Sequence, residues 1–255
     1  MQHQWTAESF DAPDLALPDN QGDLIKAIAA CNRRTVVVLE TGGPVCMPWL
    51  LLTAAVIEAW YPGARGGEAI ARVLFGEVNP SGRLPITFPT SETQLPRNTI
   101  TSNNEVDYFE GADVGYKWFD KTGLKPLFSF GFGLSYTTFD HNDLTATVFG
   151  VNVILSLNVK NVGMRRGADV PQFYVRRLAD FAFPIRLVGW FRVQLDPGET
   201  RRVTVTIEPR LLARFNNMAG HWEIEHGRYE AQAGASAGDL SLAIEFTLPA
   251  FQLKP

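Results

Sequence analysis

Apolar positions recur with two different periods along this chain. In the first half they fall in short continuous runs and at helical spacing. Residues 35–39 (TVVVL) form a continuous β-branched run, as expected of a strand buried on both faces of a parallel sheet. Leu24, Ile25, Ile28 and Ala29 share one face of a helix predicted over residues 20–30, with Asp19 or Asn20 as its side-chain cap. Residues 48–52 read as a short helical turn before a strand over residues 55–60, and Pro62-Gly63 breaks that strand. From Gly67 a second helix is predicted, with Ala69, Ile70, Val73 and Leu74 on one face and Gly76 as its left-handed terminator. Asn79-Pro80-Ser81-Gly82 has the residues of a type I turn. Leu84, Ile86 and Phe88 then alternate, but Pro85 cannot donate to a ladder, which restricts this segment to a sheet edge or an extended arm. The order strand, helix, strand, helix, strand is that of an α/β unit with about three parallel strands.

The second half keeps a period of two. Strands are predicted over residues 152–160, 170–175, 187–195, 202–207, 220–225, 228–235 and 240–248. Asn161-Val162-Gly163 and Asp196-Pro197-Gly198-Glu199 supply turns between them. About seven short alternating strands with regular turns predict a β-sandwich. The two halves are assigned to residues 1–134 and 135–255, with the strand pattern fully developed from about Asp143. Between them, residues 108–139 contain ten aromatics among 32 positions, interleaved with glycine. Such rings could stack on sugars, but packing two domains together is the reading favoured here. Residues 95–106 are polar and unpatterned and read as a long loop.

Composition narrows the partners. The chain has 255 residues, a 45% apolar share, and 23 basic against 27 acidic residues for a net charge of −4. That balance, with no basic run beyond pairs such as Arg33-Arg34 and Arg165-Arg166, argues against a nucleic-acid partner. No apolar run reaches membrane-spanning length, and the first ten residues have neither the basic nor the apolar part of a signal peptide. No membrane partner and a cytoplasmic location are expected for the chain as written; as a piece of a longer precursor it would carry no such expectation. The cysteines, Cys31 and Cys46, read as two buried thiols. The four histidines are scattered without ligand spacing, so neither metal nor cofactor is expected.

The segment PGxxGGxAIAxVLFGxxNPSGRLPxTFP, from Pro62 to Pro89, resembles the α/β sandwich domain of glycoside hydrolase family 3, the β-glucosidase and β-xylosidase family. The aromatic stretch resembles that family's junction. NVKNVGxxxGxDVxQxYV and LxPGExxxVxxxI resemble the fibronectin type III-like module that closes many of its members. The resemblance implies a partial three-layer α/β unit, the second half of the sandwich domain, followed by an all-β fibronectin-like sandwich. The full-length family also carries a barrel upstream, for which this sequence has no counterpart.

Retaining glycosidases use two carboxylates, a nucleophile and an acid/base. In the family the nucleophile is an Asp of the barrel, and no Asp here matches its motif. The acid/base is usually a Glu ahead of an LP-x-x-Q-x-x-LI helix, and by that register the resemblance places it on Glu8. Asp11 falls on the Asp of the family's E-G-x-D-R pattern, while Ser9 stands where Gly is usual and Ala12 where Arg is usual. Asp107, Asp113, Asp120, Glu58 and Glu68 have no partner that the sequence identifies. The expectation is a glycosidase portion that supplies the acid/base and not the nucleophile, inactive alone. Its partners would be a β-linked oligosaccharide or aryl glycoside and the barrel in cis or trans. Half a sheet also leaves an open edge, from which self-association is expected. The alternative is a non-catalytic carbohydrate-binding or protein-interaction module.

Overall fold

A computed structural model describes residues 12–96, 108–178 and 184–254. Helix α1 (Gln21–Cys31) leads into strand β1 (Val36–Leu39), a 3-10 turn at Leu50–Leu52, strand β2 (Ala55–Glu58) and helix α2 (Gly66–Leu74). β1 and β2 pair in parallel, Val37 opposite Val56, as βα units require. The expected third parallel strand does not form: among the described residues this sheet has two strands, and the Pro85 segment is an arm that bends at Pro85-Ile86 and pairs only by an isolated bridge from Phe88 to Phe128. The arm meets the junction through the Phe88 N–H to Phe128 carbonyl bond of 2.9 Å and the Leu84 N–H to Phe132 carbonyl bond of 2.8 Å. Gly76 takes φ +76° after α2, as its terminating role requires.

Several local expectations fail for identifiable reasons. Neither Asp19 nor Asn20 caps α1 with its side chain. Both backbones are left-handed (φ 51° and 59°), and the Asn20 carbonyl instead accepts the Asp23 and Leu24 N–H groups. Residues 79–82 form no hydrogen-bonded turn, and the Asn79 side chain accepts the Tyr136 N–H at 2.7 Å and the Ser135 hydroxyl at 2.9 Å, fixing the segment to the junction. Cys31 is exposed, on the outer side of α1, and Cys46 is half-buried. The junction contains a helix the sequence reading missed, α3 (Tyr116–Thr122), closed by Gly123 at φ +68°.

The second half is all strand apart from a 3-10 turn at Pro209–Leu212. β3 (Phe139–Phe149), β4 (Asn152–Asn161) and β9 (Thr200–Thr206) make one antiparallel sheet. β6 (Gln172–Arg177), β7 (Arg186–Trp190), β12 (Gly227–Gly234) and β13 (Leu242–Leu248) make the facing one, in the order β13-β12-β6-β7. Short pairs complete it: β5 (Gly167–Asp169) with β8 (Val193–Leu195), and β10 (Arg214–Asn216), β11 (His221–Ile224) and β14 (Phe251–Leu253) in a row. β4 shows the cause of the fold directly: Val153, Leu155, Leu157 and Val159 are fully buried against Phe173, Val175 and Ala231, while the intervening side chains face outward. β3, β5, β10 and β14 were not anticipated, and the single strand expected over residues 187–195 is two, β7 and β8, which pair in different sheets. After Phe139, β3 runs through the polar Asp140-His141-Asn142-Asp143, which hides its alternation.

A second core lies in the α/β part. Val37, Leu39, Val45, Met47, Trp49 and Phe88 are buried there, with Leu17, Ile25, Trp60 and the junction's Leu127 and Phe128 packed on them. The junction aromatics do pack domain on domain. Tyr116 stacks on Phe130 at 5.0 Å and edge-on to Tyr174 of β6 at 5.7 Å, and its hydroxyl accepts the Leu187 N–H of β7 at 2.9 Å.

Candidate functional site

A cleft of about 1060 Å³ opens where the chain leaves the carboxyl end of β1. Its walls are residues 12–18, residues 38–45, Tyr61 and Ile70. Open α/β sheets bind ligands in this position, because the loops there diverge beyond the strand ends. The first wall is fastened by two bonds: the Leu15 N–H donates to the Glu92 carboxylate at 2.8 Å, and the Leu15 carbonyl accepts the Cys46 N–H at 2.7 Å. Burial, then the nearby Glu92 and Asp14 charges, push the Cys46 thiol up.

The loops at the strand ends are tied through Glu58, the last residue of β2. Its carboxylate accepts the Trp60 N–H at 2.9 Å, and the Thr41 hydroxyl shares its one proton between the Gly43 carbonyl at 2.8 Å and this carboxylate at 3.2 Å. Burial pushes the Glu58 carboxyl up, against the pull of these bonds. Trp60 has φ +54°, turns inward and meets Phe88 edge-on at 6.1 Å. Tyr61 goes the other way and is 73% exposed.

The residues singled out in the sequence separate clearly. Glu8, Asp11 and Asp107 lie outside the described residues, and the first cleft wall begins at Ala12. Glu68 pairs with the exposed Arg65 on the surface. Asp113 pairs with Lys121 at 2.7 Å, and Asp120 binds Arg176 at 2.9 Å and the Ile185 N–H at 2.9 Å. These aspartates serve the junction rather than the cleft. Glu58 is the one of the group beside the cleft, and no pattern in its neighbourhood distinguished it from a surface residue.

A smaller hollow between the β6-β7 side of one sheet and the short strands β10 and β11 is lined by Arg177, Arg186, Arg214, Glu223 and Glu225. At about 30 Å³ it holds about one water and no sugar. No cluster of metal-ligating side chains occurs among the described residues, and no helix there is long and apolar enough to cross a membrane.

Comparison with known proteins agrees with this architecture. The model of the glycosyl hydrolase family 3 C-terminal domain matches residues 1–136, and that of a fibronectin type III-like domain matches residues 169–237. A β-glucosidase B of Emericella nidulans is 42% identical over 98% of this chain, and a thermostable β-glucosidase B of Acetivibrio thermocellus 39% over 94%. The chain spans about a third of the length of these relatives, 32% and 33%. Among solved structures, a Kluyveromyces marxianus β-glucosidase in complex with glucose superposes with TM-score 0.93 at 34% identity, covering 98% of this chain and 31% of that one. A Streptomyces venezuelae β-glucosidase in complex with D-glucose gives 0.88 at 38%, covering 94% and 32%. With more than half of its length matched by the family model and both halves present in the expected order, this chain belongs to glycoside hydrolase family 3.

Proposed function

We propose that this chain is the acid/base-bearing portion of a β-glucosidase that hydrolyses β-linked glucosides with retention. The observation that carries the reading is positional. In sequence, Glu8 falls on the family's acid/base register four residues ahead of Ala12, where the wall of an open cleft at the carboxyl ends of parallel strands begins. The curated relatives matched along nearly the whole chain are β-glucosidases.

In this reading the Glu8 carboxyl protonates the glycosidic oxygen as the bond to the anomeric carbon breaks. The same residue, then a carboxylate, takes a proton from the water that releases the sugar. The attacking carboxylate belongs to the portion of the relatives that this chain does not match. One carboxylate cannot both donate the proton and attack the anomeric carbon from the opposite face, so the 255 residues alone have no turnover.

Complementation tests this. The chain is assayed on an aryl β-glucoside alone and with the barrel and first sandwich half of a relative such as the Acetivibrio enzyme. Activity only in the mixture supports the reading. Turnover by the chain alone, or none in a stable complex, contradicts it.

A further inference from the structure

Three unusual features of the cleft converge on one ring. Trp60 is a bulky residue in left-handed backbone (φ +54°), a conformation that persists only where its surroundings over-determine it and that gathers at ligand clamps and active sites. The surroundings here are the Glu58 carboxylate, which takes the Trp60 N–H at 2.9 Å, and Phe88, which meets the indole edge-on. That reversal sends Tyr61 out of the core and onto the cleft wall. Glu58 also accepts from the Thr41 hydroxyl at 3.2 Å, which links the turn carrying Tyr61 to the loop opposite it. Finally, the ring lies against Gly42, where a Cβ would fall 2.6 Å from the Tyr61 hydroxyl oxygen. A side chain at residue 42 would displace the Tyr61 ring from this place.

Tyr61 itself stays 73% exposed on the cleft wall. We propose that Tyr61 is a stacking platform for the pyranose ring of a β-glucoside in this cleft. The choice of ligand rests on the glycosidase reading above; the exposure of the ring on the cleft wall does not. An all-equatorial glucoside offers a face of C–H groups to the negative π-face of the ring and points its hydroxyls outward. The same cleft carries the Asp14 and Glu40 carboxylates, which are acceptors for such hydroxyls.

The test is a saturation-transfer NMR titration of the full 255-residue chain with cellobiose, with circular dichroism to confirm that each variant is folded. Wild type and Tyr61→Phe bind alike, because the ring is kept. Tyr61→Ala binds about fivefold to tenfold more weakly, the size of an aromatic contact. Gly42→Ala, which pushes the ring aside without removing it, also weakens binding. Equal affinity of wild type and Tyr61→Ala overturns the proposal, as does the absence of saturation transfer to cellobiose with wild type. A failure of Glu8 as the acid shows in turnover and leaves this titration as it is.

Discussion

The Arg83 guanidinium and the Asp169 carboxylate meet at 2.7 Å, 86 residues apart in sequence, with side chains only 11% and 3% exposed. Arg83 belongs to the arm of the α/β part and also donates to the Gly133 carbonyl of the junction at 2.6 Å. Asp169 lies in β5 of the sandwich, and its other oxygen holds His141 of β3 at 2.5 Å. One carboxylate thus fastens arm, junction and sandwich together.

Removing one partner of such a pair strands the other charge in a dry site. Asp169→Asn and Arg83→Met are each expected to cost about 3–5 kcal/mol, read as the fall in the urea midpoint at neutral pH. The acid side gives a second reading. Burial alone pushes the Asp169 carboxyl up, but the bond and interaction with His141, the Arg83 charge and the Val170 N–H outweigh it and hold it below the usual range. A depressed folded-state value contributes stability above the unfolded value of about 4 and loses it as pH falls through the folded one. The gap between wild type and Asp169→Asn should therefore narrow below about pH 4. A gap independent of pH would show that the carboxylate is not the stabilising group.

The aromatic junction makes a graded prediction. Tyr116→Phe loses the acceptor of the Leu187 N–H and should cost about 1 kcal/mol, keeping one cooperative transition. Gly131→Ala should cost more. Its backbone has φ +82°, and a Cβ would fall 2.0 Å from the Gln172 amide oxygen, beside the 3.0 Å bond from the Gln172 amide to the Gly131 carbonyl. Differential scanning calorimetry distinguishes the two variants; equal small losses would mean the junction repacks freely.

Apolar surface left open in the α/β part predicts association. Leu24 and Ile28, one turn apart on α1, are 59% and 48% exposed, and β1 begins with a 41% exposed Val36. Contiguous exposed apolar patches mark interfaces or liabilities. Light scattering at rising concentration should show oligomers. The double substitution Leu24→Glu, Ile28→Glu should reduce them without lowering the melting temperature by more than about 2 °C, since exposed positions contribute little to stability. A wild-type monomer at high concentration would contradict this.

What the sequence made legible follows from range. β1, α1, α2 and the alternating strand β4 depend on neighbours within a turn or two, and their periods announced them. The glycines at 76 and 198 (φ +76° and +79°) were readable for the same reason. Features settled by distant groups were not. Residues 79–82 carry turn residues, yet the Asn79 side chain is spent on Ser135 and Tyr136. The polar start of β3 is explained only once His141 is seen on Asp169. Glu58 and Tyr61 acquire meaning from Thr41 and Gly42, which a parallel sheet brings beside them across some 17 residues. Glu8 is the reverse case: only family register points to it.

The account stands or falls on Glu8 as the general acid. In the chain complemented with a relative's barrel and first sandwich half, Glu8→Gln is assayed on an alkyl and on a nitrophenyl β-glucoside. The alkyl leaving group needs a proton in the transition state, so its turnover should fall about 10²–10⁴-fold. The nitrophenolate departs without help and should be slowed far less. Equal losses on both substrates would contradict the assignment and remove Glu8 from the chemistry.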